Sequence, residues 1–121
     1  SNAIIGGNSA IHQFVRIGSF SIVGGQTGIV SDIIPYGSAS GPRGSLNGIN
    51  NIGLKRQGYE KNEISILNDA YNMIFSGDDI FKDRIKNTKK KFEKIDIVNQ
   101  LIEFIEADRE RPLCQPKLNN E

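Results

Sequence analysis

The segment that decides the fold spans residues 4–37 and reads IIGGNSAIHQFVRIGSFSIVGGQTGIVSDIIPYG. Glycine follows an aliphatic residue at Gly6, Gly18 and Gly24, as expected of a chain that turns tightly after a very short strand. Aliphatic residues recur at every sixth position of this segment. This spacing fits neither the 3.6-residue period of a helix nor the alternation of an amphipathic strand. It predicts a hexapeptide-repeat β-helix with its aliphatic residues in a shared core. One residue per hexad carries this pattern: Ile5, Ile11, Ile17, Val23, Ile29 and, in the next place, Pro35.

Three hexads form one turn of such a helix, so we expect two coils that end at Pro35, which cannot donate to a further strand. Two coils are fewer than the roughly three repeats that a stable stack needs. The rim from Ile4 to Ala10 would also present unpaired strand edges. These points favour truncation, self-association or both.

The composition changes near Gly58: twelve of the 13 glycines lie at or before it, and residues 1–50 carry only three charges. A helical region follows. Three helices are predicted, because apolar residues recur at helical spacing. The first spans about 62–76, the second begins at an N-cap at Asp78 or Asp79, and the third spans about 96–107. Short connections predict a small antiparallel bundle. We therefore divide the chain into five parts. Residues 1–3 are a tag remnant, residues 4–37 form the coils, residues 38–58 form an ordered connector loop, residues 59–108 form a helical domain, and residues 109–121 form a flexible tail.

The composition also limits the function classes. The net charge of +1 gives no global argument for nucleic-acid or membrane binding, and no apolar run approaches the ~20 residues of a spanning helix. The single cysteine, Cys114, excludes an intrachain disulfide and a cysteine-cluster metal site. We therefore expect a cytoplasmic protein with no transmembrane segment, no nucleic-acid partner, no metal and no cofactor.

His12 is the only histidine and follows an inward-pointing aliphatic position, so it should project outward from the wall beside Gln13. In a trimer, a neighbouring wall would close a cleft over this polar pair.

Several ordered motifs together resemble one family, the acyl-ACP:UDP-N-acetylglucosamine O-acyltransferases that begin lipid A biosynthesis. The resemblance covers about residues 4–75 and extends more loosely through the last two helices. The motifs are GGNSAIHQF at 6–14, VGG at 23–25, PYG at 35–37, Asn50, GLKR at 53–56 and AYNMIF at 70–75.

The resemblance implies a left-handed parallel β-helix followed by an α-helical bundle, assembled as a homotrimer with active sites between adjacent β-helices. It implies transfer of a hydroxyacyl chain from acyl carrier protein to the 3-hydroxyl of UDP-N-acetylglucosamine. The family's general-base histidine lies upstream of this chain, and His12 matches an accessory histidine. We therefore expect the C-terminal part of the enzyme, with no catalytic residue of its own and inactive alone.

Other family positions carry over individually. Gln13 would help hold the substrate with His12, and Gly25 either leaves room for a long acyl chain or only serves a turn. Asn50 and Arg56 match positions near the nucleotide, and a guanidinium suits bidentate phosphate binding. Gln57 departs from the family, which often has a basic residue there.

A lysine-rich run on the second predicted helix has two interpretations, a solvated face or a dock for the acidic carrier protein. Its members are Lys82, Lys86, Lys89, Lys90, Lys91 and Lys94.

Two further functions stay open from the sequence alone. One is a hexapeptide acyltransferase with another amino-sugar acceptor. The other is a non-catalytic module for trimerisation or carrier-protein binding.

Overall fold

The computed structural model describes residues 3–7, 9–11, 13, 15–25, 28–29, 31–41, 45–107 and 112–116. Short strands dominate its first half and helices its second, as the sequence predicts. The strands are β1 Ile4–Ile5, β2 Ala10–Ile11, β3 Ile22–Val23, β4 Gly28–Ile29, β5 Gly37–Ser40 and β6 Ser45–Ile49. The helices are α1 Asn51–Arg56, α2 Lys61–Phe75, α3 Phe81–Lys91 and α4 Asp96–Glu106.

The strands stack in parallel, coil upon coil. One sheet has the order β1-β3-β5-β6 and a second pairs β2 with β4. Ile4 pairs with Ile22 and Ala10 with Gly28, in each case three hexads further along the chain. The parallel stacking predicted from the hexads is therefore confirmed.

The second coil is two residues shorter than three hexads. Ile17 pairs with Ile33 rather than with Pro35, and Ile22 pairs with Ser38. Ile33 and Ile34 are fully buried, and Pro35 lies in the turn that follows them. The prediction that Pro35 takes the sixth core position is wrong, because the turn closes early and moves Ile33 into register.

The segment predicted as a connector loop contains regular structure. β5 adds a third parallel layer on β3, and β6 then returns antiparallel to β5. The helix α1 follows directly, so the expectations of a loop and of a stack that ends at Pro35 are both wrong. Small Gly, Ser and Asn residues have low strand propensity, but the hydrogen-bonding edge of β3 and the buried Ala39 and Leu46 stabilise the strands.

The first coil forms the open end of the stack. Ile5 and Ile11 were predicted to point into the core, yet 46% and 37% of their surfaces are exposed, whereas Val23 in the next coil is buried. An aliphatic residue of a coil is buried only when layers lie on both sides of it. No described residue covers β1 and β2 from above, so their aliphatic side chains remain accessible.

The three helices predicted after residue 58 are present, and the start of one of them differs from the prediction. α2 packs against α3 and α4, and α3 packs against α4. The helix α3 begins at Phe81 with Ile80 as its N-cap and no side-chain cap, so the prediction of an Asp78 or Asp79 cap is wrong. The α4 helix buries Ile97, Val98, Leu101, Ile102 and Ile105. Within the described ranges, no helix is long and apolar enough to cross a membrane.

Residues 112–116, which we call the C-terminal strap, pair with the sheets although they were predicted to lie in a flexible tail. The Asp32 N–H donates to the Pro112 carbonyl at 2.7 Å, and the Cys114 N–H donates to the Asp32 carbonyl at 2.7 Å. Leu113 and Cys114 are buried. The prolines that flank this stretch exclude a helix, but they favour the extended backbone that a strap needs.

A buried ion pair joins the coils to the helices. Asp32 is fully buried, and its carboxylate accepts from both the Arg16 backbone N–H and Arg16 Nε at 2.8 Å. Arg16 Nη1 donates to the Phe104 carbonyl at 3.0 Å, and the guanidinium lies 4.2 Å from the Phe104 ring centroid. Arg16 thus fixes the end of α4 against the β-helix.

Candidate functional site

A cleft of about 360 Å³ opens between the upper coils and α1, and we call it the α1 cleft. Its polar groups come from α1 and its flanks, and most of the opposite wall is apolar. A concave, largely apolar surface with a few converging polar groups is the usual form of a small-molecule site. The lining residues are Ala3, Ile4, Phe20, Ile22, Asn50, Ile52, Gly53, Arg56 and Gln57.

Asn50 holds the start of α1. Its Nδ2 donates to the Phe20 carbonyl at 2.9 Å, and its Oδ1 accepts from the Gly53 N–H at 3.0 Å as the helix N-cap. A Cβ on Gly53 would lie 2.3 Å from Asn50 Nδ2, so only glycine allows this cap. Both the nitrogen and the oxygen of the Asn50 amide therefore bind protein atoms, and these contacts position α1.

Aromatic side chains support the floor of the cleft. Phe20 and Tyr36 stack with their ring centroids 5.3 Å apart, and Tyr59 meets Tyr36 edge-on at 5.9 Å. Burial, followed by the hydrogen bond to Tyr59, raises the pKa of Tyr36 well above its usual range. The phenol therefore remains neutral and the stack carries no charge near neutral pH.

Arg56 is the cation of the cleft. It is the last residue of α1, where a positive charge is favoured by the helix dipole, and its side chain is exposed. In the part of the chain that the structure describes, no carboxylate forms an ion pair with it. Its guanidinium can therefore offer a planar fork of donors to a phosphate or carboxylate.

Two of the other predicted substrate residues, Gln13 and Gly25, lie apart from this cleft. Gln13 and Gly25 are exposed and line none of it. A Cβ on Gly25 would approach the Gly7 carbonyl oxygen to 3.3 Å, so a side chain there would press on the coil above. His12 lies outside the described residues, and its role, like those of Gln13 and Gly25, stays a prediction.

The lysines predicted to dock the carrier protein are all exposed, and their role stays a prediction. Lys82, Lys86 and Lys89 line a groove of about 790 Å³ between α3 and α4, which we call the lysine groove. Their spacing places them on one face of α3. Lys89 Nζ also lies 3.3 Å from Glu106 Oε1. The remaining three, Lys90, Lys91 and Lys94, do not line the groove.

Sequence reasoning missed the apolar parts of both sites. Ile80, which is 66% exposed, and Phe81 lie in the lysine groove, and Phe20 and Ile52 line the α1 cleft. The one available signal was Asn50 directly before a short helical segment, which is an N-cap pattern. Gly53 within that segment obscured the helix, because glycine is a poor helix former.

Comparison with known proteins gives a consistent result. The family model described as UDP N-acetylglucosamine O-acyltransferase, domain 2, matches residues 32–114. The acyl-(acyl-carrier-protein)–UDP-N-acetylglucosamine O-acyltransferase of Bartonella henselae is 38% identical over 115 residues, covering 95% of this chain and 42% of that protein.

Solved structures with the same name share the fold. The UDP-N-acetylglucosamine O-acyltransferase of Moraxella catarrhalis superposes with a TM-score of 0.86 at 35% identity, covering 94% of this chain and 44% of that chain. The UDP-N-acetylglucosamine acyltransferase of Arabidopsis superposes with a TM-score of 0.88 at 28% identity, and the match covers 95% of this chain and 43% of that chain. The chain therefore spans less than half the length of these relatives.

Proposed function

Because the chain belongs to the UDP-N-acetylglucosamine O-acyltransferase family, as its motifs predict, we propose that it forms part of an enzyme of lipid A biosynthesis. That enzyme transfers a hydroxyacyl chain from acyl carrier protein to the 3-hydroxyl of UDP-N-acetylglucosamine. This chain contributes the nucleotide end of the acceptor site and the surface that receives the donor. The general base belongs to a part of the enzyme that this chain does not contain.

The observation that carries this proposal is the convergence of Asn50 and Arg56 on one cleft. The GLKR motif places Arg56 six residues, nearly two helical turns, beyond the Asn50 cap, so the cap orients the helix that presents the guanidinium. The diphosphate of a UDP-sugar is a suitable acceptor for that fork of donors. Gln57 can add a neutral hydrogen bond where many relatives would supply a second charge.

The chain's contribution to catalysis is binding and orientation. Holding the diphosphate fixes the sugar at a set distance from the cleft, and correct placement of reacting groups lowers the barrier to acyl transfer. His12 and Gln13 are proposed to contact the sugar or acyl part from the coil wall. Gly25 is proposed to leave room for a long acyl chain, and its neighbour Gly7 limits the side chain that could replace it.

Assembly is part of the proposal. A left-handed β-helix trimer, with the helical region as a bundle at its end, would close the wall residues into clefts between subunits. The exposed Ile4, Ile5 and Ile11 support an assembly or further coils that cover the open end of the stack. The proposed location is the cytoplasm, where lone cysteines such as Cys114 remain reduced.

The lysine groove is the proposed contact for acyl carrier protein. Three exposed lysines border an apolar floor that includes Phe81, Ile85 and Ile105. Two carboxylates, Asp83 and Glu106, also line the groove, and Glu106 pairs with Lys89, so the proposed attraction comes mainly from Lys82 and Lys86. An acidic partner would gain electrostatic attraction at the rim and apolar contact at the floor. Binding should therefore weaken as the salt concentration rises.

A binding experiment tests directly whether the α1 cleft binds the nucleotide. UDP titrated into this chain, followed by calorimetry, should bind the parent chain and lose about tenfold in affinity in Arg56→Ala, because one charge-assisted contact is removed. Lys55→Ala is the matched control, since Lys55 is exposed on the same helix but does not line the cleft. Equal losses in the two variants would contradict a specific role for Arg56.

An activity assay tests the wider proposal. UDP-N-acetylglucosamine and hydroxyacyl carrier protein are supplied to this chain and to the same chain joined to upstream coils of a relative. Activity only in the longer protein is expected. Activity in the short chain would assign the base to a residue of this chain, and activity in neither would favour another acceptor or a non-catalytic module.

A further inference from the structure

The α1 cleft has an apolar wall that the contact between Arg56 and a diphosphate does not use. Phe20, Ile22 and Ile52 belong to this wall. Ile52 is 66% exposed, whereas Leu54 of the same helix is the residue that anchors α1 in the core. A diphosphate gains nothing from an apolar surface, because its oxygens need hydrogen-bond donors. The wall therefore fits a different part of the ligand.

The aromatic ring of Phe20 is held in place before any ligand binds. It stacks on Tyr36 with an angle of 14° between the ring planes, and it remains half-buried where it lines the cleft. The φ angles of Phe20 and Tyr36 are 58° and 59°, a backbone conformation that is uncommon for bulky residues. Such outliers cluster at ligand sites, where the strain fixes a side chain in a useful position. The cleft thus has a pre-organised aromatic contact.

Few side-chain polar atoms of the cleft are available to a ligand. The Asn50 amide is committed at both its nitrogen and its oxygen, to the Phe20 carbonyl and the Gly53 N–H. Of the side chains that line the cleft, only Arg56 and Gln57 then have polar atoms that are not bound to a described residue. Gln57 is exposed, and its amide offers both a donor and an acceptor. Rotation of that amide satisfies a carbonyl or an amino group equally well.

We propose that the α1 cleft holds the nucleobase by apolar contact with Phe20 and Ile52 and does not select uracil by its hydrogen-bonding edge. This inference rests on the proposed function, because it requires a nucleoside diphosphate whose phosphates bind Arg56. Uracil and cytosine have the same shape and differ in carrying a carbonyl or an amino group at position 4. A wall that reads shape alone therefore accepts both bases.

Calorimetric titration of the whole chain with UDP, CDP and inorganic pyrophosphate tests the inference. The Kd values of UDP and CDP should agree within about threefold, because the wall contacts the two bases alike. Pyrophosphate has no base and should bind at least about tenfold more weakly than UDP, since contact with an aromatic side chain contributes substantially to base binding. The buffers contain no divalent cation and are matched in ionic strength.

Two variants separate the apolar wall from the rest of the surface. Ile52→Ala should weaken UDP and CDP binding by the same factor, about threefold to tenfold, and should leave pyrophosphate binding unchanged, because only the base touches the wall. Ile80→Ala is the matched control, since Ile80 is also 66% exposed but lies in the lysine groove. It should leave the binding of all three ligands unchanged. The exposure of both positions makes misfolding of either variant an unimportant risk.

The outcomes distinguish this inference from the proposed function. A Kd for CDP at least about tenfold above that for UDP would overturn the inference alone, because the cleft would then read the edge of the base. Pyrophosphate binding as tight as that of UDP, or equal effects of Ile52→Ala and Ile80→Ala, would also overturn it, because the base would then not contact the wall. No binding of UDP, or UDP binding that Arg56→Ala leaves unchanged, would refute the proposed nucleotide site and this inference with it.

Discussion

Replacing Arg16 with methionine should destabilise the protein more than a substitution at a partly exposed position usually does. The substitution keeps the apolar stem over Phe104 but removes the Nε donor to Asp32 and the Nη1 donor to the Phe104 carbonyl. Asp32 would remain fully buried with a single donor, the Arg16 backbone N–H at 2.8 Å. An uncompensated buried charge results.

The magnitude follows from the burial of the two partners. Removing one member of a buried ion pair costs about 3–5 kcal/mol. The Arg16 side chain is 27% exposed, so water already screens part of the interaction. We therefore expect the lower end of that range, about 3 kcal/mol of unfolding free energy.

Urea unfolding followed by far-ultraviolet circular dichroism measures this loss. Lys89→Met is the control, because the Lys89–Glu106 pair is exposed on both sides and should contribute less than about 1 kcal/mol. Adding Asp32→Asn to Arg16→Met should recover about 1 kcal/mol or more, since it removes the buried charge but keeps the backbone hydrogen bond. A loss no larger than that of the control, or no recovery in the double variant, would refute the reasoning.

Three further predictions use the same measurement. Gly18→Ala should cost at least about 2 kcal/mol, because its Cβ would lie 2.2 Å from the Pro35 backbone nitrogen, whereas Gly7→Ala, which meets nothing within 4 Å, should stay within about 0.5 kcal/mol. Equal effects would contradict the close stacking of the coils. Asn50→Ala should cost about 1–2 kcal/mol through loss of the α1 cap and should also weaken UDP binding; unchanged unfolding would show that α1 does not need the cap. Burial raises the pKa of the Cys114 thiol to about 11 from 9.0, so the unfolded chain loses this proton first and stability should fall as pH rises from about 9 to about 11. The fall should reach up to about 2 kcal/mol relative to Cys114→Ala, and identical pH profiles for the two proteins would contradict a buried thiol.

The sequence alone determined the parts of the fold that repeat. Parallel stacking of short strands follows from the six-residue spacing, because each coil must place an aliphatic residue in the same core. The spans of α2 and α4 follow from apolar residues at helical spacing and from Gly77 after α2. The motifs also predicted the family, and they indicated Asn50 and Arg56 as substrate-binding residues.

Only the tertiary structure decided the positions where distant segments meet. The shortened second coil, the β5–β6 hairpin and the C-terminal strap are held by hydrogen bonds between residues far apart in sequence, and such partners leave no local pattern. The Arg16–Asp32 pair is likewise a consequence of packing. Periodicity specifies which face of an element is apolar, whereas the cost of burying each polar group depends on which partner the folded chain brings to it.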